Sequence, residues 1–135
     1  KTRLLNQITA MMGGRAAEDL IFKEITTGAA NDFDQATQIA KAMVVEFGMS
    51  DLGPINFGPS NDITLGRGYF QEQGLSQEKM AQVDKEITKI ISQCYKNAVK
   101  ILTDNKSVLD KVAKELIKKE SLDQEEFEAL VKQNK

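Results

Sequence analysis

The chain has 135 residues, 41% of them hydrophobic, with 18 Lys and Arg against 20 Asp and Glu for a formal net charge of −2. That is the profile of one ordinary globular domain, long enough to bury a core without disulfides or a structural metal. It holds no His, no Trp and the single cysteine Cys94, so its own residues cannot build a Ser–His or Cys–His nucleophile pair, a zinc finger or a His-bearing catalytic zinc site.

Dispersed Lys and Arg give no electrostatic footprint for nucleic acid or for an anionic membrane surface. The longest apolar runs, such as Ala42-Met43-Val44-Val45, are too short to span a bilayer or to form a signal peptide. One free thiol fits a reducing compartment.

In residues 1–22, Leu4, Leu5, Ile8, Met11 and Met12 recur at helical spacing, and the stripe resumes through Ala16, Ala17, Leu20 and Ile21. Between them, Gly13-Gly14 implies a break or a close approach by another backbone, since each Gly costs about 1 kcal/mol relative to Ala inside a helix. The stripe starts at Lys1 without an initiating Met, which suggests a piece cut from a longer protein. It predicts that the surface around Leu4, Ile8 and Met12 is an interface left open or covered by a second copy. A polar turn, Thr26-Thr27-Gly28-Ala29, precedes a helix expected from Asn31 or Asp32 to Phe47, with Asp32 and Asp34 at the positive end of its dipole and Gly48 as its left-handed cap.

Residues 48–75 collect six glycines and both prolines of the chain. Ile55-Asn56-Phe57 is compatible with a short strand there, and Pro59 to Gly74 with a mobile surface loop.

Ser76 is a good N-cap, with Leu75 and Met80 spaced as a hydrophobic staple. Met80, Val83, Ile87, Ile90, Ile91, Cys94, Ala98, Ile101 and Leu102 then predict the longest helix of the chain, of about seven turns. After a break near Thr103-Asp104-Asn105, a further stripe runs through Val108, Leu109, Val112, Ala113, Leu116 and Ile117. Asp123 and Glu126 stand in capping-box spacing, flanked by Leu122 and Phe127 as a second staple. The expected fold class is all-α: a helical bundle of about five to six helices with one long loop and room for one short strand.

Residue chemistry alone leaves the role of these segments open. Asp32 reads as a first-turn carboxylate stabilising its helix, Arg15 and Glu18 as a surface pair at i, i+3, Asp34 as a solvated charge, Cys94 as a buried thiol, and the five dispersed methionines as core filling. The order of residues adds more. The stretch Gly13-Gly14-Arg15-Ala16-Ala17-Glu18-Asp19-Leu20-Ile21-Phe22, followed by Thr26-Thr27-Gly28-Ala29-Ala30-Asn31-Asp32-Phe33, closely resembles the peptidase domain of the FtsH family of membrane-anchored ATP-dependent zinc metalloproteases. The resemblance continues through Ala36 to Val44, Phe47 to Ser50, Leu52-Gly53-Pro54 and Leu102 to Asn105. Lys23, where many members have Gly, and Phe33, where an aliphatic residue is usual, are departures that do not touch the ligand chemistry.

The resemblance implies the C-terminal portion of a zinc metallopeptidase domain, with metal-site helices in residues 1–49, a loop in 50–75 and a C-terminal helical bundle in 76–135. It makes Asp32 the third protein ligand of zinc, Glu18 a residue near the metal that orients the ligands, and Thr27, Gly28 and Asn31 further parts of the motif. No catalytic residue falls within the chain, because the H-E-x-x-H helix, with two His ligands and the general-base Glu, lies upstream in that family. So do the ATPase module with its ATP and Mg, and the transmembrane segments. By the same resemblance the parent is a homo-hexamer degrading unfolded or membrane proteins. It is anchored in a bacterial inner membrane or an organellar membrane, with this domain on the cytoplasmic, matrix or stromal side. Membrane contact comes only through the upstream segments, and the fragment itself is soluble, inactive and a weak Zn²⁺ binder. The competing reading is a non-catalytic helical interaction or oligomerisation module derived from the same fold, separated from the first by whether the parent encodes H-E-x-x-H.

Overall fold

Ile8, Met12 and Ala16 recur every four residues along the first helix, Ala36, Ala40, Met43 and Val44 line one side of the second, and Val83, Ile90, Cys94 and Ala98 line the third. A spacing of three and four puts each set on one helical face, and the three faces close on one another to form the core. The computed structural model describes residues 1–24, 26–56 and 76–133. Its elements are α1 (Thr2–Ile21), a 3₁₀ turn (Thr27–Ala29), α2 (Ala30–Val45), α3 (Gln77–Asp104), α4 (Lys106–Lys119) and α5 (Gln124–Lys132). The fold is an all-α helical bundle. α1 and α2 pack on each other and on α3, while among the described elements the α4–α5 hairpin meets the rest only through α3.

Several expectations change against this architecture. α1 runs unbroken through Gly13-Gly14, and a Cβ at either position would meet open space among the described residues. The burial of Met12 and Ala16 on either side outweighs the propensity cost of the two glycines. The stripe around Leu4, Ile8 and Met12 is not an orphaned interface either. Ile8 and Met12 are fully buried, and Leu4 packs against the same core. The open surface lies on the adjacent face, where Asn6, Thr9, Ala10 and Gly13 of α1 and Ala98, Ile101 and Leu102 of α3 border a cleft of about 420 Å³. Ile55 and Asn56 form no strand: Gly53 and Pro54 turn the chain, and the Ile55 N–H bonds back to the Gly53 carbonyl at 2.9 Å. Phe57, Leu75 and the loop from Pro59 to Gly74 lie outside the described residues. Met80 is not core filling but 50% exposed.

The helix ends follow their caps. Gly48 has φ +58°, and a Cβ there would sit 2.8 Å from Pro54 Cα, so the return of the chain over the end of α2 requires Gly. The Met49 N–H reaches the Met43 carbonyl at 2.8 Å and closes that end. Asp51 then pairs with Lys89, and its backbone N–H bonds Glu86 Oε2 at 3.3 Å, tying the turn to α3. Lys89 holds the Asp51 carboxyl below its ordinary pKa. Ser76 Oγ accepts from the Lys79 N–H at 3.2 Å, and Asp123 and Glu126 form the full capping box. Lys23, one residue past the C-cap of α1, has φ +54°. Gly adopts that conformation without strain, which gives a physical reason for the Gly that many members of the resembling family carry there.

Candidate metal centre

The last turn of α1 carries Glu18 and Asp19, and Thr26 leads into the 3₁₀ turn that feeds α2. The Thr26 hydroxyl links the two. It accepts the Gly28 N–H at 3.2 Å and donates to Glu18 Oε1 at 2.6 Å, so one side chain caps the turn and pins the carboxylate. A Cβ at Gly28 would come within 3.3 Å of Thr26 Oγ1 and 3.5 Å of Glu18 Oε1. A methyl group there would crowd the Thr26 hydroxyl by a few tenths of an ångström and stay in ordinary contact with Glu18, so Gly leaves the pair uncrowded. Glu18 Oε2 is buried and has no hydrogen-bond partner among the described residues. Such an atom forfeits its hydration without compensation unless a donor reaches it.

Asp32 is the third residue of α2, half-buried, and makes no hydrogen bond or ion pair with another described residue. It does not cap its own helix, and Asp34 is exposed. Of the other motif residues, Thr27 opens the 3₁₀ turn and Asn31 stands on the first turn of α2, both exposed. Arg15 does not pair with Glu18. Its Nε donates to Asp19 Oδ2 at 3.3 Å, one helical turn on, and its guanidinium carbon lies 6.0 Å from the centre of the Phe33 ring.

The same Asp19 oxygen accepts the hydroxyl of Tyr95, 76 residues away on α3. Sequence reasoning missed this link, although a phenol on a core-facing stripe needs a polar partner and that requirement was visible. The bond to Asp19, reinforced by partial burial, raises the Tyr95 pKa. Tyr95 therefore remains a donor throughout the neutral range. Its contribution is complete below the ordinary phenol value of 10.0 and is lost as the pH rises through the higher folded value. Cys94, beside it, is buried with Sγ 3.6 Å from the Leu5 carbonyl.

Among the described residues no three His, Cys, Asp or Glu side chains stand together as a metal cluster. Asp32 nonetheless fits one carboxylate position of a divalent cation, being half-buried, on the first turn of a packed helix and not consumed by an ion pair. The unsatisfied oxygen of Glu18 fits a residue that receives a donor from outside the described residues. Among the described residues no helix is long and apolar enough to cross a membrane.

The sequence pattern of peptidase family M41 matches residues 1–130. The chain is 46% identical to the ATP-dependent zinc metalloprotease FtsH of Bacillus subtilis over 97% of its length and 21% of that protein's. It is 45% identical to the FtsH of Acholeplasma laidlawii over 90% of its length and 19% of that protein's. A third relative, FtsH 3 of Synechocystis, is 39% identical over 99% of the chain and 22% of that protein. The chain thus spans about one fifth of the curated relatives it matches. Two motifs at matching spacing, an all-α fold and similarity along nearly the whole chain agree: the chain belongs to peptidase family M41.

Proposed function

We propose that the chain is the C-terminal part of the peptidase domain of a membrane-bound, ATP-dependent zinc endopeptidase, in which Asp32 is the third protein ligand of zinc. The observation that carries this reading is Asp32, half-buried on the first turn of α2 and without an ion pair among the described residues, beside the turn in which the Thr26 hydroxyl holds Glu18. In this reading two His and a general-base Glu of an H-E-x-x-H helix complete the site from outside these 135 residues, which hold no His of their own. When bound, zinc supplies Lewis-acid polarisation of the scissile carbonyl and a nucleophile at neutral pH.

This chain's residues hold the geometry. Asp32 sets one anionic oxygen on a helix fixed by the core, and its charge offsets that of the cation. Thr26 fixes Glu18 Oε1, leaving Oε2 to accept a donor from an incoming ligand side chain and so to orient it. The relatives' names carry the ATP dependence and the zinc. The wider reading rests on the family resemblance of the sequence motifs alone: a homo-hexameric parent, with ATP and Mg in a separate module, translocating unfolded or membrane proteins to this site from the cytoplasmic, matrix or stromal side of its membrane.

Asp32→Asn in the full-length protein keeps side-chain size and removes the anionic ligand. The expected result is loss of casein degradation by at least about a hundredfold with ATP hydrolysis largely intact, since a ligand counts for more than the residues around it. The isolated chain, with one ligand of three, binds Zn²⁺ weakly by calorimetric titration and cleaves nothing. A mutant parent that degrades at the wild-type rate, or tight zinc binding by this chain alone, would sink the ligand assignment. A parent gene lacking H-E-x-x-H would turn the assignment to a non-catalytic helical module.

A further inference from the structure

We infer that Tyr95 is a positioning residue for the candidate metal centre, holding the last turn of α1 from α3 and with it the Glu18 carboxylate. The inference rests on the reading of Glu18 and Asp32 as residues of that centre. α1 is held by its core face only as far as Ala16, since no residue of the helix beyond it is fully buried. Ile21 and Phe22 at its end are exposed, and the last turn carries no basic residue to stabilise it. Glu18 lies in that weakly held stretch.

Asp19 supplies the missing anchor. Its Oδ2 accepts Tyr95 O–H from α3 and Arg15 Nε from the preceding turn. Arg15 in turn lies against the ring of Phe33, the neighbour of Asp32 on α2. Three helices are therefore joined through one carboxylate oxygen. Consecutive residues of a helical turn move as one rigid unit, so fixing Asp19 fixes the orientation of Glu18. Without the Tyr95 hydroxyl the Arg15 bond remains, but it joins two residues of the same helix and leaves the terminal turn without its side-chain bond to α3.

The test uses the full-length protein with Tyr95→Phe, Asp19→Ala, the double variant, and Val83→Ala as a control, a core truncation near the start of the same helix. Zinc affinity is read by competition with a chromophoric chelator, peptide hydrolysis at saturating zinc, and stability by thermal melting. Tyr95→Phe is expected to weaken zinc binding about fivefold and to lower kcat by a similar factor, with KM within about twofold. That is somewhat less than loss of a residue touching the ligands directly. Asp19→Ala is expected to match it, and the double variant to be no worse than either, as coupled partners behave. Val83→Ala is expected to melt at lower temperature than Tyr95→Phe yet bind zinc as the wild type does. Wild-type zinc affinity and kcat in Tyr95→Phe, or an equal loss in Val83→Ala, would overturn the inference while leaving Asp32 as a ligand. Zinc binding and proteolysis that survive Asp32→Asn would overturn the reading of the site and this inference with it.

Discussion

α1, α2 and the first three-quarters of α3 enclose side chains that are 0–9% exposed, whereas α4 and α5 contribute no buried residue at all. The stripes of the two regions look alike in sequence, each with apolar residues at steps of three and four. Periodicity states that a helix has an apolar face; it does not state that anything covers that face. The core region is held through its middle. The hairpin is held at its ends, by the Asp123–Glu126 capping box, by the Lys119–Glu126 ion pair at 2.8 Å and by the turn at Glu120. The candidate metal centre belongs to the first region, where a ligand can be kept in place.

The sharpest test of this contrast deletes one side chain from each region. Met43→Ala, in the core, is expected to lower the unfolding free energy of the 135-residue chain by about 2–5 kcal/mol. Ile117→Ala, at a position 83% exposed on α4, is expected to change it by no more than about 0.5 kcal/mol. Urea denaturation measures both. A loss at Ile117 as large as that at Met43 would mean that the hairpin stripe is covered, and the contrast would fail.

What the sequence made legible was local. The Ser76 and Asp123 caps, the left-handed Gly48 and the longest helix all follow from residues within a turn or two of one another. The features it hid depend on the third dimension. Gly13-Gly14 reads as a break until the burial of Met12 and Ala16 is weighed against it, and the face of α1 that stays open is the one beside the expected stripe. In the candidate site, Glu18, Asp32 and Gly28 enter only through the family resemblance, since residue chemistry alone reads Asp32 as a first-turn carboxylate and Glu18 as a surface charge. Thr26 as the group that pins Glu18, and Asp19 as the meeting point of Arg15 and Tyr95, needed the packing of the 3₁₀ turn on α1 and the docking of α3.

A second test acts on the ends of the hairpin. Asp123→Ala removes the N-cap of α5 and is expected to cost about 1 kcal/mol, seen as faster amide exchange in α5 while α1 and α2 keep their protection. Acid should act in the same place. The hydrogen bond from Lys119, with the bond from the Asp123 backbone, holds the Glu126 carboxyl below its ordinary value of 4.5. Glu126 therefore contributes in full above that value and loses its contribution as the pH falls through its lower folded value, so amide exchange followed downward in pH should loosen α5 ahead of the core. Simultaneous loss of both regions would show that they form one cooperative unit.

The smallest effect separates the regions at their two strained backbones. Lys23 follows α1 with φ +54°, and Glu120 closes α4 with φ +64°, its N–H on the Leu116 carbonyl at 2.8 Å. A side chain in that conformation costs about 1–2 kcal/mol, and replacing it by Gly removes the strain while adding freedom to the unfolded chain. The net gain expected for Lys23→Gly is about 0.5 kcal/mol. Glu120→Gly relieves a similar strain, but in a hairpin that opens without the core. Lys23→Gly should therefore raise the midpoint of global urea unfolding, whereas Glu120→Gly should slow amide exchange in α4 and α5 and leave that midpoint where it was. An equal rise in the midpoint for both would place the hairpin inside the cooperative core, against the burial pattern of the two regions.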